Sequence, residues 1–186
     1  MRIIAAAVFA FGWSAADLAS AQTDVALKRL PDAAYEVDGE FTVDASSAAV
    51  WGVLTDYEGI PSFVASMRSS RVRETREDGS LLVEQKAVGG MFFLTRTVTI
   101  LLEVRQEPEL LRFEDIGRES FWRYEGSWST ERAPEGVRVS YHLIAQPDFV
   151  APAVLMSRAM RRGARDLLEQ VRVEIVRRSN AGGRKI

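Results

Sequence analysis

The sequence predicts an α+β fold: a seven-stranded antiparallel sheet wrapped around one long C-terminal helix. Three observations carry that prediction. Short segments of alternating apolar and polar residues, punctuated by Gly, Pro and Asp, fill most of the chain between Tyr35 and Gln146. From Ala153 onward the period lengthens, and Met156, Met160, Gly163, Ala164, Leu167, Leu168, Val171 and Ile175 continue one helical stripe. Directly after the first strand, Val50, Val53, Leu54 and Tyr57 recur at i, i+3, i+4 and i+7, the mark of a short helix lying on a core.

Taken in order, the chain opens with Arg2, an apolar run from Ile3 to Trp13, and Ala19-Ser20-Ala21 before Gln22. This describes a secretory signal peptide over residues 1–21. Eleven apolar residues are too few for a helix to cross a bilayer, which takes about 20. The mature protein is therefore expected to begin at Gln22 and to be secreted or periplasmic. Of 186 residues, 165 would remain, enough for one domain with a substantial core. Residues 22–34 show no clear period and read as a leader.

Residues 35–43 alternate, with Tyr35, Val37, Phe41 and Val43 on one face. Asp44, Ser46 and Ser47 offer oxygens to the first turn of the helix that follows. Gly59 and Pro61 end that helix and start a second short one, with Asp56 as its cap. Segments 68–75 and 81–87 flank Glu77-Asp78-Gly79, a hairpin signal. Gly89-Gly90 breaks the chain before 92–107, which is rich in Thr, Val and Ile, and strands 110–116, 121–130 and 136–146 follow. Pro152 suits the start of the last helix, expected to end near Arg178. Residues 35–178 form the domain and 179–186 a mobile tail.

The wording of residues 50–64, with Val50, Trp51, Leu54, Asp56, Tyr57 and Pro61, resembles the START-like polyketide cyclase/dehydrase (SRPBCC) superfamily, above all its coenzyme Q-binding, Coq10-like branch. Gly126 and Trp128 on a late strand and the long terminal helix are similar in the same way. The resemblance implies a helix-grip fold, with a pocket between the sheet and the last helix.

Strand parity nominates the residues that would line such a pocket. Trp122, Tyr124, Gly126 and Trp128 share one face of their strand; Val137, Val139, Tyr141, Leu143 and Ala145 share one face of the next. Phe113 with Leu111, Met91 and Phe93 near the glycine pair, Trp51, and Met156 and Met160 on the helix complete an aromatic and methionine surface suited to a flexible apolar ligand. The same side chains could instead fill a solid core. Gly126 on the inward face suggests space.

No catalytic set, cofactor or metal site is expected. The chain has no Cys and a single His, and parity places His142 on the wet face. Acid–base chemistry in the pocket would fall on Tyr124, Tyr141 and Asp115 or Arg96. A net charge of −2 speaks against nucleic acid, but from Ala151 onward nine basic residues oppose three acidic ones. Arg158, Arg161, Arg162 and Arg165 are read either as a solvated helix face or as a dock for transient contact with an anionic membrane. The function expected is an exported protein binding a lipid, isoprenoid quinone or similar molecule. A cyclase/dehydrase-type enzyme using the pocket tyrosines and a ligand-free envelope interaction module are the alternatives.

Overall fold

A computed structural model of the chain describes residues 23–91 and 94–182. Its elements are β1 (Asp24–Arg29), β2 (Tyr35–Val43), α1 (Ser47–Leu54), a 3-10 turn (Ile60–Ser62), β3 (Met67–Thr75), β4 (Leu81–Met91), β5 (Leu94–Glu107), β6 (Leu110–Asp115), β7 (Phe121–Ala133), β8 (Gly136–Pro147) and α2 (Ala153–Gly182). The strands form one sheet in the order β1-β2-β8-β7-β6-β5-β4-β3, and every neighbouring pair is antiparallel. Strands β3 to β8 thus run as a meander, and the β1–β2 hairpin closes onto β8.

The START-like helix-grip architecture is as expected, with eight strands rather than seven. Residues 24–29, assigned to a leader, form β1 and pair with β2 from Asp24 opposite Glu40 to Arg29 opposite Tyr35. This strand is short and lies at the sheet edge. Its buried side chain is Val25, with Leu27 partly covered, so two apolar positions were all the alternation available to read. At the other end α2 runs to Gly182, so residues 179–182 are helical rather than tail. The proposed signal peptide, residues 1–21, lies outside the described residues, as do Phe92, Phe93 and residues 183–186.

Alternation builds the core. Val37, Phe41 and Val43 on β2, the alternate residues Val137, Val139, Tyr141, Leu143 and Ala145 on β8, Leu111 and Phe113 on β6, and Ile100, Leu102 and Val104 on β5 form one core with the helices. From the helices come Val50, Val53 and Leu54, and Ala164, Leu168, Val171 and Ile175. Gly39 takes the inner position on β2 between Val37 and Phe41, where Leu168 packs close against the strand. Ser46 Oγ caps α1 by accepting the Ala49 N–H at 3.2 Å. Asp56 Oδ1 accepts the Gly59 N–H at 3.1 Å ahead of the 3-10 turn, and its Oδ2 accepts from Arg178 Nη2 at 2.7 Å. That bond fastens the end of α2 to the break between the two short helices. Among the described residues, no helix is long and apolar enough to cross a membrane.

Candidate ligand-binding site

The backbone of α2 lies against β1, β2 and α1 on one flank and comes close to β4 on the other. It therefore bridges a trough whose floor is the inner face of β5–β8. Register decides what stands on that floor: Phe113 faces Gly126, Leu111 faces Trp128, Trp128 faces Tyr141 and Tyr124 faces Ala145. The rings touch in series. Phe121 lies 4.9 Å from Tyr124, Tyr124 5.9 Å from Phe113, Phe113 6.4 Å from Tyr141 in a stacked arrangement, and Tyr141 4.5 Å from Trp128. Such contacts add to the burial energy of each ring. Phe121, Tyr124, Trp128 and, on α2, Met160 pack on the core yet keep part of their surface accessible.

A few polar groups sit among the rings. Burial holds the Tyr141 phenol well above the ordinary tyrosine value, and interaction with Tyr124 adds to this. Burial also raises Tyr124; the Tyr141 hydroxyl opposes that shift, while the charge of Asp115 reinforces it. Both therefore remain O–H groups at neutral pH. Asp115, only 3% exposed, follows Leu111 and Phe113 on the inward positions of β6. Its Oδ1 accepts the backbone N–H of Leu101 at 2.9 Å and of Gly117 at 3.0 Å. Its Oδ2 is buried and, among the described residues, has no hydrogen-bond partner. Deeper in the sheet, Gln85 donates to Ser70 Oγ at 3.2 Å, and both are buried.

Of the residues nominated from sequence, Phe113, Tyr124, Trp128 and Tyr141 come together on the floor. Met156 is buried on α2, Met160 is partly buried one turn later, and Trp51 packs partly buried on the core from α1. Trp122 does not belong to the site. A bulge between Phe121, opposite Pro147, and Arg123, opposite Gln146, inserts one extra residue in β7. The pleat shifts there, sending Phe121 inward and leaving Trp122 65% exposed. Phe121 is the site residue that parity missed, because parity assumes an unbroken strand. Gly126 faces inward as expected but opens no space: a β-carbon there would collide with the His142 carbonyl oxygen and stand 2.8 Å from Phe113 Cζ. Met91 ends β4, but its side chain, like Phe93, lies outside the described residues.

His142 is on the outer face, its Nδ1 2.7 Å from Asp38 Oδ1. Glu36 completes a group of three potential metal ligands within 4.8 Å, but its carboxylate already lies 3.8 Å from Lys28 Nζ. The group reads as a solvated salt-bridge cluster.

Over residues 34–175 the sequence matches the family described as "Polyketide cyclase / dehydrase and lipid transport". The chain belongs to this family. Among solved structures, the START-like fold recurs in the protein TTHA0849 from Thermus thermophilus, 25% identical, with a TM-score of 0.66 over 77% of this chain and 99% of that one. It recurs in a STAR-related lipid transfer protein fragment from Xanthomonas axonopodis, 16% identical, TM-score 0.65, over 82% and 93% of the two chains. The ZhuI aromatase/cyclase from a Streptomyces species, 16% identical, has a TM-score of 0.67 over 81% and 98%. The last two likenesses speak for the fold alone. A comparison with curated proteins gives no significant match. In this polyketide cyclase / dehydrase and lipid transport domain, the trough between sheet and α2 fits the binding of a hydrophobic molecule. These matches are to the superfamily and do not single out its Coq10-like branch.

Proposed function

We propose that the chain is an exported, non-catalytic carrier that holds a lipid, isoprenoid quinone or similar apolar molecule in the trough under α2. The observation that carries this reading is the unbroken series of rings from Phe121 to Trp128, of which Phe113 and Tyr141 are buried while Phe121, Tyr124 and Trp128 keep part of their surface accessible. A ligand there gains ~0.8 kcal/mol per buried CH₂. The family description, which includes lipid transport, supports the same reading. The only histidine is on the outer face, so among the described residues proton transfer in the trough would rest on Asp115 and on Tyr124 and Tyr141, whose phenols burial raises, which favours binding over catalysis. Organic extraction and native mass spectrometry of the purified protein test it. A co-purifying apolar molecule lost in Trp128→Ala is expected, and a ligand-free protein that also binds no added lipid would overturn the reading.

Membrane contact and export belong to this proposal. Arg158, Arg161, Arg162 and Arg165 are exposed at i, i+3, i+4 and i+7, forming one stripe of α2 opposite its packed face. One turn earlier Val154 is 78% exposed, and Val150 is fully exposed before it. Trp122 and Ile116, also exposed, lie at the same end of the sheet, where β7 begins and β6 ends. An apolar tip beside a basic stripe suits reversible docking on anionic lipid, each charge contributing about 1 kcal/mol near the surface. Co-sedimentation with anionic vesicles should weaken with salt and fall when the four arginines become Gln; equal binding to neutral vesicles would count against it. Intact mass from the envelope fraction should begin at Gln22, and a mass beginning at Met1 would contradict export.

A further inference from the structure

Four of the five large apolar side chains that stand exposed among the described residues gather at one end of the molecule: Ile116, Trp122, Val150 and Val154. Hydrogen bonds hold their segments together. The Ile116 N–H donates to the Leu101 carbonyl at 2.9 Å and the Thr99 N–H to Ser120 Oγ at 3.1 Å, so both ends of the 116–120 turn rest on β5. The Asp148 N–H donates to the Ser120 carbonyl at 3.2 Å, which ties the chain leaving β8 to the start of β7. Val150 and the first turn of α2, with Val154, follow directly. The exposure of Trp122 has a specific origin. An unbroken β7 would turn it inward with Tyr124, and the extra residue between Phe121 and Arg123 turns it out. An indole has an apolar body and one N–H donor, a combination that settles at the boundary between lipid headgroups and acyl chains. Arg158 and Arg161, exposed on α2 just beyond Val154, supply positive charge beside it. From this placement we infer that Trp122 is an interfacial anchor: its ring enters an anionic bilayer with Ile116, Val150 and Val154 around it, while the arginines stay among the headgroups. The inference rests on the membrane-docking reading and adds to it a point of insertion. Insertion, unlike attraction between charges, is not screened by salt, and it fixes which end of the sheet faces the bilayer.

Vesicles of phosphatidylcholine and phosphatidylglycerol with brominated acyl chains test it, because bromine on the chains quenches an indole that enters the bilayer. The purified protein should lose part of its tryptophan fluorescence on binding. Trp122→Phe should still bind but lose the quenching; Trp13, Trp51 and Trp128 remain in that variant, so the missing signal belongs to position 122. Trp122→Ser should bind about tenfold more weakly, the loss expected when a partly buried aromatic side chain is replaced by a small polar one, and the deficit should persist as salt is raised. Because the ring is exposed, both variants should melt at the temperature of the unmodified protein. Binding of the unmodified protein without quenching overturns the anchor and leaves charge-driven docking standing, whereas binding to no vesicle even at low salt overturns both. Quenching that survives in Trp122→Phe also overturns it. So does unchanged affinity in Trp122→Ser, a result that would leave the exposed ring to a protein partner.

Discussion

Leu168 Cδ1 occupies the place that a β-carbon on Gly39 would take. Leu168 is fully buried, so its tip has little room to turn away. Gly39→Ala should therefore lift α2 off β2 and cost ~1–3 kcal/mol by overpacking. Leu168→Ala alone should cost ~2–5 kcal/mol through the cavity it leaves. In the double variant the alanine methyl at position 39 fills part of that cavity, so the two losses should fall short of additive. Urea denaturation of the four proteins measures the coupling; strict additivity would place Gly39 outside the helix contact.

Gly126 makes a second backbone demand. Its missing side chain is what lets β8 and the Phe113 ring approach β7, so Gly126→Ala should destabilise by ~1–3 kcal/mol. A thermal melt reads this directly. A gain in stability would mean that the position is open and that the larger substitution Gly126→Leu could be used to block ligand.

Alkaline pH should unfold the domain through Tyr57. Burial pushes its phenol up to about 12, against the lowering effect of the hydrogen bond that Gln106 Nε2 donates at 2.7 Å. A raised acid is stabilising in its neutral form. Its contribution is complete below the ordinary value of 10.0 and is lost as pH rises from there toward about 12. Tyr57→Phe should remove that part of the loss while changing stability at pH 7 by less than about 1 kcal/mol, since the Gln106 amide can turn to water. Chemical denaturation between pH 7 and 12 checks both statements.

Glu174 sets the opposite limb. Arg177 donates to both its oxygens at 2.7 Å and Arg178 Nε to Oε1 at 2.6 Å. Chiefly through Arg177, and then Arg178, its pKa is lowered from 4.5 to about 2. The lowered value stabilises the fold above pH 4.5, and that share is lost as pH falls toward about 2. Glu174→Gln should flatten the acid limb and cost ~1–3 kcal/mol at pH 7. An unchanged acid limb would show that Arg177, largely exposed, is screened by solvent.

Where one residue type at one period decides the outcome, the sequence was sufficient. Val50, Val53, Leu54 and Tyr57 are all buried as their spacing required, as are Val137, Val139, Tyr141, Leu143 and Ala145 on β8. Asp56 is expected to cap the 3-10 turn, but the cap is Gly59, with no side-chain bond; Asp56 accepts the Gly59 N–H one step earlier. What escaped reading depends on partners distant in the chain. Asp24–Arg29 is a strand because β2 and α2 lie beside it, not because six residues announce a period. Trp122 and Phe121 exchange faces because of one unpaired residue in β7, and no local composition marks that bulge. Asp115 could be nominated as an inward carboxylate, but only the positions of Leu101 and Gly117 reveal that one of its oxygens is occupied and the other is not.

The β1–β2 hairpin has a further consequence, in time rather than in space. Tyr35 pairs with Ala145 and Val43 with Val137, so the first strands made must wait for nearly the last one before their ladder can form. Until residues 136–147 emerge, β2 and β7 are both open edges. Closing so long a loop is slow compared with forming the local hairpins of the meander. A ribosome-bound chain stalled before β8 should therefore be protease-sensitive throughout β1 and β2 however stable the finished domain is. Completion of the sheet is then timed by the emergence of β8, however early the hairpins of the meander have formed.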